Sequence, residues 1–382
     1  MKEIDCELEV IIRAFRGMKR LCKNDIVKTA EGEERGFYIS SSLPESLLEK
    51  FELFRKKLDQ YIKENTELPL LHLLEELSGE LRRFLAVAEY FDERFLFYLE
   101  VSGGDVLVKI YCLDPSHIMD VIQNKAVSTV FFSATLTPSD YFCDLLGGGK
   151  NAVKISLPSP FDSGNLCVAV ADYLSVRYED RKKNAARYAT AIAAAVTAKH
   201  GNYIVYFPSY DALESVVTVF SRKYPDVQTI VQKRNMSQKE KEEFIDSFKN
   251  DKGKLRIGFC VLGGSFAEGV DLPGSRLIGT IIFGVGLPGL SNEKNIIRDY
   301  YELQNEAGYD YAYTFPGMNN VLQAAGRVIR RDEDRGVVVL VDDRYSDKKY
   351  TDLFPLHWKG VQYAGNAASL AEITKRFWCE SE

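Results

Sequence analysis

A glutamine followed by arginines four and seven residues later is the feature of this chain best suited to chemistry. In Gln323-Ala324-Ala325-Gly326-Arg327-Val328-Ile329-Arg330-Arg331, a helical reading places Gln323, Arg327 and Arg330 on one face. Guanidinium groups are planar and permanently charged, so two of them on a rigid element suit charge that develops on a transferred phosphoryl group. Arginines also serve as plain solvated surface, but Gly326 weakens a helix interior, which implies that something needs the space. A second candidate runs from Gly263 to Gly274 after an apolar run. Its glycines let backbone N–H groups approach an anion. Ser265 precedes Glu268, Gly269 and Asp271, and the two carboxylates offer acceptors to a hydroxyl, a cation or an arginine. The stretch fits an anion cradle or a glycine turn with a structural carboxylate. It is not a P-loop, because G-x-x-x-x-G-K-[ST] occurs nowhere in the chain.

Two more hydroxyl-bearing stretches follow apolar runs. Ser133-Ala134-Thr135-Leu136-Thr137-Pro138 can bind a phosphate or a neighbouring loop, or cap a helix near Asp140. Pro208-Ser209-Tyr210 follows Tyr203 to Phe207 and places Ser209 at a helix N-cap, where anions bind readily; a plain cap accounts for it equally. A basic cluster of Arg177, Arg181, Lys182, Lys183 and Arg187 suits either a phosphate backbone or solvent. The four histidines, 72, 117, 200 and 357, are isolated, and neither H-E-x-x-H nor G-x-S-x-G occurs. Metal-assisted and triad hydrolysis therefore lack their residues.

Two kinds of element must position these groups. From Glu7 to about Leu99 apolar residues recur at three and four, as in Leu47, Phe51, Phe54 and Leu58, which predicts amphipathic helices. One should begin at Ser42-Leu43-Pro44-Glu45, a capping-box sequence. From about Val106 the texture changes to short continuous apolar runs: Val106–Tyr111, Val127–Phe132, Tyr203–Phe207, Arg256–Leu262, Leu277–Phe283 and Gly336–Val341. Strands covered on both faces read this way, which predicts a parallel sheet between helices, with one helix spanning Met318 to Arg331. The expectation is a helical domain over 1–105 and an α/β domain over 106–382, with ligands at the carboxyl ends of the strands.

Composition sets the outer bounds. The chain has 382 residues, 46% hydrophobic and 27% charged, values of a folded globular protein. No apolar run is long enough to cross a bilayer. The start, Met-Lys-Glu-Ile-Asp-Cys, lacks a signal-peptide pattern, so a cytoplasmic location is expected. Seven cysteines without a C-x-x-C pair read as buried thiols and give no cluster spacing. The net charge of −6 argues against a nucleic-acid binder until it is divided: residues 1–130 hold 18 Lys and Arg against 24 Asp and Glu, and the remainder 31 against 31.

In this order the motifs resemble the C-terminal half of superfamily 2 DNA helicases of the XPD/DinG (Rad3-related) family. Ser133-Ala134-Thr135-Leu136 is similar to motif III and Ser159-Pro160-Phe161 to a landmark just downstream. Phe207 to Tyr210 is similar to motif IV, Gly264 to Gly274 to motif V and Gln323 to Arg330 to motif VI. Asp342-Asp343-Arg344-Tyr345 is similar to the D-x-R segment that follows. Residues 1–105 fall where the family inserts its arch, a match of position and helical pattern only. The resemblance implies an arch-like domain and a second RecA-like domain. It also implies a first RecA-like domain with the P-loop, an Asp-Glu pair for Mg²⁺ and in many members a 4Fe-4S cluster; this sequence contains none of these motifs.

By the same resemblance Arg327, Arg330 and Gln323 are catalytic, the two arginines reaching the γ-phosphate of ATP held by the other domain and Gln323 lying on the same nucleotide face. Glu268, Gly269, Asp271 and Gly326 belong to the ATP face, and Ser133 and Thr135 couple nucleotide state to movement. Ser159, Ser209, Tyr210 and Ser265 lie along single-stranded DNA. The expected partners are that DNA and the first RecA-like domain. The chain alone is expected to be a monomer without ATPase activity and without a metal or membrane of its own. The alternative is a self-contained α/β domain that binds a nucleotide or phosphate and regulates.

Overall fold

Apolar residues at helical spacing build the first of two units, residues 1–130 with 143–151. The computed structural model describes residues 2–22, 27–28, 34–103, 105–149, 152–249, 253–264, 266, 272 and 274–379. Helices α1 (Lys2–Met18), α2 (Glu45–Glu64) and α3 (Leu71–Ala88) precede α4 (Ser116–Gln123). α2 turns Leu47, Phe51, Phe54 and Leu58 inward, a stripe with steps of three and four. They meet Phe97, Leu99 and Val101 in one core.

Those three residues alternate along β3 (Phe95–Ser102). Their strand lies in an antiparallel sheet ordered β1 (Val27–Lys28), β2 (Glu34–Ser40), β3, β4 (Asp105–Cys112). The helical domain expected over 1–105 therefore contains a sheet and extends beyond residue 105. The run Val106–Tyr111 lies in β4, expected in the parallel sheet, yet it pairs antiparallel with β3, Leu99 opposite Val108. Val106 and Val108 pack on the core while Leu107 stays exposed, so one face of this strand is open. The capping box at Ser42 is not formed either. Pro44 occupies the N-cap of α2 without a side-chain cap, and the Ser42 hydroxyl pairs with that of Ser40 at 3.1 Å.

The second unit, residues 131–142 with 152–382, is built on a seven-stranded sheet. It contains β5 (Leu166–Val170), β6 (Asn202–Phe207), β7 (Gln228–Val231), β8 (Arg256–Val261), β9 (Gly279–Phe283), β10 (Gly336–Val341) and β11 (Gln362–Tyr363). The order is β11-β5-β10-β9-β6-β8-β7, and each of these pairings is parallel. Every residue of β6, β9 and β10 is buried, which is why these strands read as continuous apolar runs rather than alternations.

Helices cover both faces. On one, α6 (Arg181–Val196) and α7 (Tyr210–Lys223) pack with a C-terminal helix, Ala367–Cys379, against Val205, Phe207 and Phe283. On the other, α8 (Gln238–Asp246) and Phe315–Ala325 cover Ile204, Tyr206 and Leu340. Phe207 stacks on Phe283 at 4.8 Å, a contact that joins two strands of the sheet through their side chains. The strand expected over Val127–Phe132 is not formed, since no described strand lies beside it and an extended segment needs a neighbour for its N–H and C=O groups. Among the described residues no helix is long and apolar enough to cross a membrane.

Candidate nucleotide-facing cleft

Continuing the order of helices, α5 is Ser139–Leu145, α9 is Asn292–Asn305 and α10 is Phe315–Ala325. α10 begins with Pro316 in its first turn, where a missing N–H costs nothing. It buries Met318, Val321, Leu322 and Ala325 against the sheet. That packing turns Gln323 to the other side.

The helix expected to run to Arg331 stops at Ala325. Gly326 is its C-cap and donates its N–H to the Leu322 carbonyl at 2.9 Å. A Cβ on Gly326 would stand 3.2 Å from that oxygen, so the small residue suits a tight chain reversal rather than a helix interior. Val328 then inserts into the core at 2% exposure, and Asp334 Oδ2 accepts the N–H groups of Arg330 at 2.8 Å and Arg331 at 2.9 Å. Arg327 and Arg330 thus project from a turn pinned by Val328 and Asp334, not from a helical face.

The turn, α10 and the loop after residue 132 enclose a cleft of about 450 Å³ lined by Ser133, Ala134, Thr135, Leu322, Gln323, Gly326, Arg327 and Arg330. Six residues expected at the nucleotide face or in coupling therefore meet in one place. Thr135 donates its N–H to Ser133 Oγ at 3.2 Å, and the two hydroxyls are 3.3 Å apart. Gln323 Oε1 is sealed from solvent without a hydrogen-bond partner. An orphaned buried acceptor is costly, and here it borders a cleft with two cationic side chains. Beneath them, burial pushes the Tyr206 phenol far up, while the Arg327 charge pulls the other way. The Tyr206 hydroxyl donates to the Phe266 carbonyl at 3.1 Å. Ser265, Glu268, Gly269 and Asp271 lie outside the described residues.

The residues expected along a strand of nucleic acid are not brought together. Ser159 lines neither cavity; its Oγ accepts the N–H of Phe161 at 3.2 Å. Ser209 caps α7, accepting the N–H of Ala212 at 3.3 Å, the plain cap that its position allowed. Tyr210 lines a second cavity of about 270 Å³ with Gln232, Lys233, Asn235, Met236, Lys241 and Phe266. Gln232 organises its floor: its Nε2 donates to the Tyr210 hydroxyl at 3.0 Å and its Oε1 accepts the N–H of Val261 at 2.8 Å. Three strand ends are tied together in this way. Gln232, Lys233 and Lys241 carry no motif in the sequence; the carboxyl end of the short strand β7, where they gather, is the signal that could have found them.

At the end of β10, Asp342 is fully buried and holds Arg344 through two contacts of 2.8 and 2.7 Å. Burial raises the Asp342 pKa, and the Arg344 hydrogen bonds and charge oppose that rise.

Comparison with known proteins shows what this arrangement is similar to. Residues 192–361 match the helicase C-terminal domain family. That match lies within the second unit. A probable ATP-dependent helicase of Methanocaldococcus jannaschii is 27% identical over 303 residues, 75% of this chain and 43% of that protein. The XPD/RAD3 helicase subunit of the general transcription and DNA repair factor IIH of Saccharomyces cerevisiae is 23% identical over 300 residues, 71% of this chain and 37% of that protein. The chain thus spans less than half the length of these relatives. A solved structure of apo XPD superposes with a TM-score of 0.56 at 19% identity, covering 93% of this chain and 68% of that one. A second XPD helicase structure gives 0.57 at 17% identity, covering 95% and 62%. At that identity the likeness is one of fold: the parallel sheet of the second unit is RecA-like.

Proposed function

We propose that this chain supplies the second motor domain of an ATP-dependent DNA helicase, with Arg327 and Arg330 as arginine fingers and Gln323 as a polar partner of the same phosphates. The observation that carries the reading is the cleft itself. Two guanidiniums on a pinned turn, an unsatisfied buried carbonyl oxygen and the Ser133 and Thr135 hydroxyls converge there. Such a set fits the terminal phosphate end of a nucleotide, where charge develops during transfer. It does not form a complete ATP site. The chain has no P-loop, and among the described residues no group of three or more His, Cys, Asp or Glu offers to hold a metal. ATP and Mg²⁺ would be held chiefly by a partner domain with a P-loop, which supplies the phosphate cradle. The residues of this chain then act on the far side, orienting the phosphate and neutralising its charge.

Single-stranded DNA belongs on this reading to the second cavity, where Tyr210, Lys233 and Lys241 lie at the ends of β6 and β7 and at α8. An aromatic ring beside two cations suits a base and its phosphates. Opening and closing of the cleft around ATP would alternate the grip on the strand.

The test uses the polypeptide that joins this chain to its P-loop domain. Arg327→Ala should reduce DNA-stimulated ATP turnover by about 10³-fold or more while nucleotide binding stays within a few-fold. ATP turnover by the 382-residue chain alone that disappears in Arg327→Ala would falsify the division of labour. Salt-independent binding of single-stranded DNA would count against the nucleic-acid half. It would favour a self-contained regulatory phosphate-binding domain.

A further inference from the structure

We infer that β4 is a dimer edge, pairing antiparallel with β4 of a second copy of this chain so that Leu107 stands opposite its own copy. The inference concerns the first unit alone and goes beyond the helicase reading, on which it does not depend.

β4 ends its sheet, and among the described residues no strand lies on its far side. It runs for eight residues, Asp105-Val106-Leu107-Val108-Lys109-Ile110-Tyr111-Cys112, without proline or glycine. A long apolar edge of this kind is a template for pairing with another chain, and folded proteins usually shorten, bulge or charge it. One bond just beyond the strand fixes which way its backbone groups point. Leu113 donates its N–H to the Arg94 carbonyl at 2.8 Å, and this pair continues the register in which Phe95 stands opposite Cys112. Hydrogen-bonded and non-hydrogen-bonded pairs alternate along an antiparallel ladder. Leu107 and Lys109, opposite Glu100 and Tyr98, therefore direct their N–H and C=O groups at β3. Val106, Val108 and Ile110 direct theirs to the open side.

The side chains divide in the same alternation. Val106 and Val108 pack on the core of the first unit, while Asp105, Leu107, Lys109 and Tyr111 share the other face, with Leu107 51% exposed. Lys109 lies over the Tyr98 ring at 4.6 Å and the Tyr111 ring at 5.7 Å, which holds its ammonium on this face.

A two-fold axis normal to the sheet brings two copies of β4 together antiparallel, and such an interface must be complementary to itself. The outward groups of Val106, Val108 and Ile110 restrict the registers to those in which these residues pair with one another. Among them, the register that sets Leu107 against its copy also sets Asp105 against Lys109, twice. Val106 and Val108 then exchange hydrogen bonds with Val108 and Val106 of the copy, and Leu107 takes a non-hydrogen-bonded position, where side chains stand closest. Opposite charges across strands favour pairing and like charges oppose it. Centring the pair on Lys109 would set two cations face to face. Centring it on Val106 or Val108 would leave each charge opposite an uncharged residue. The strand thus carries its own complement, which names a second copy of this chain as the occupant where the sequence led to the expectation of a monomer.

Sedimentation equilibrium of the 382-residue chain tests this. A reversible dimer with a Kd below about 100 µM is expected, and in it the amides of Val106 and Val108 should exchange more slowly than in the diluted monomer. Asp105→Lys and Lys109→Asp each turn both pairs into like-charge pairs, and each should weaken the dimer at least ~10-fold. Mixed together, the two variants should bind each other at least ~10-fold more tightly than either binds itself, because only the mixed pair restores opposite charges at both positions. Leu107→Asp, at an exposed site, sets two carboxylates face to face and should abolish the dimer without lowering the melting temperature of the diluted chain. A chain still monomeric at about 100 µM, a dimer indifferent to Leu107→Asp, or reversed variants with no preference for each other would each overturn the inference. A dimer whose Val106 and Val108 amides exchange as in the monomer would do so too. ATP turnover enters none of these outcomes, so the helicase reading stands or falls separately.

Discussion

Arg344→Met exposes the cost of the carboxylate beneath it. Asp342 has no solvent exposure, Arg344 is 18% exposed, and the two meet at 2.7 Å with a second contact of 2.8 Å. Removing the cation leaves a buried carboxylate that keeps the N–H of residue 344, at 3.0 Å in the native chain, and the charge of Arg181 but loses both guanidinium contacts. Breaking one side of a buried pair costs about 3–5 kcal/mol. At roughly 2–4 °C per kcal/mol for a unit of this size, the melting temperature should fall by about 10 °C. The pH dependence has a definite sign. Burial, the largest influence, raises the folded Asp342 pKa above its ordinary 3.8. The folded state then binds the proton more tightly than the unfolded chain, so the carboxylate opposes folding increasingly as pH rises above 3.8. Without Arg344 the pKa rises further, and the deficit of the variant should shrink as the pH is lowered from about 7.5 to about 5. Asp342→Asn added to Arg344→Met removes the charge, keeps the acceptor and should recover more than half of the loss. Thermal unfolding of the native chain, the two single variants and the double variant at both pH values measures this. A double variant as unstable as Arg344→Met, or a deficit equal at both pH values, refutes the argument from an uncompensated charge.

Three further outcomes follow from the same geometry. Gly286 has φ +69°, and a Cβ there would stand 2.1 Å from the Gly317 carbonyl at the start of α10; Gly286→Ala should cost about 3 kcal/mol or more, read as a lower urea midpoint. Gln323→Met removes an acceptor that has no partner, so it should leave stability unchanged or raise it by about 1 kcal/mol, while ATP turnover of the P-loop-bearing polypeptide falls. Burial pushes the Cys167 thiol up to about 11 and Cys260 higher still, whereas Cys6 and Cys379 are exposed; a thiol reagent at about pH 8 should label the exposed pair rapidly and these two buried thiols only on unfolding.

The parallel sheet was legible in the sequence because its central strands are covered on both faces, and a short continuous apolar run between turns is what such a strand requires. The same rule misassigned Val106–Tyr111: Leu107 and Tyr111 on the other face of β4 make the run read as continuous, although Leu107 is solvent-facing. Partnership was illegible too, since Val127–Phe132 has the composition of a buried strand without a described neighbour. At the cleft, residue types and order were enough to bring Ser133, Thr135, Gln323, Gly326, Arg327 and Arg330 together. Their mounting was not, because the end of α10 depends on Asp334 and Val328, which reach the turn through tertiary packing. Spacing of three and four suggested a helical face that the chain does not make. The Tyr210 cavity was half seen, because Gln232 draws its role from a hydrogen bond to β8 that no local pattern records.

The two tryptophans of the sequence fall on opposite sides of the seven-stranded sheet. Trp358 belongs to the cluster beneath Phe354, and Trp378 packs beside Phe377 on the other layer. Neither belongs to the first unit. Indole emission is therefore a private channel for the second unit. It reports on both layers at once and is silent when only the first unit melts, so a comparison with far-ultraviolet circular dichroism separates the two units without a label or a cut.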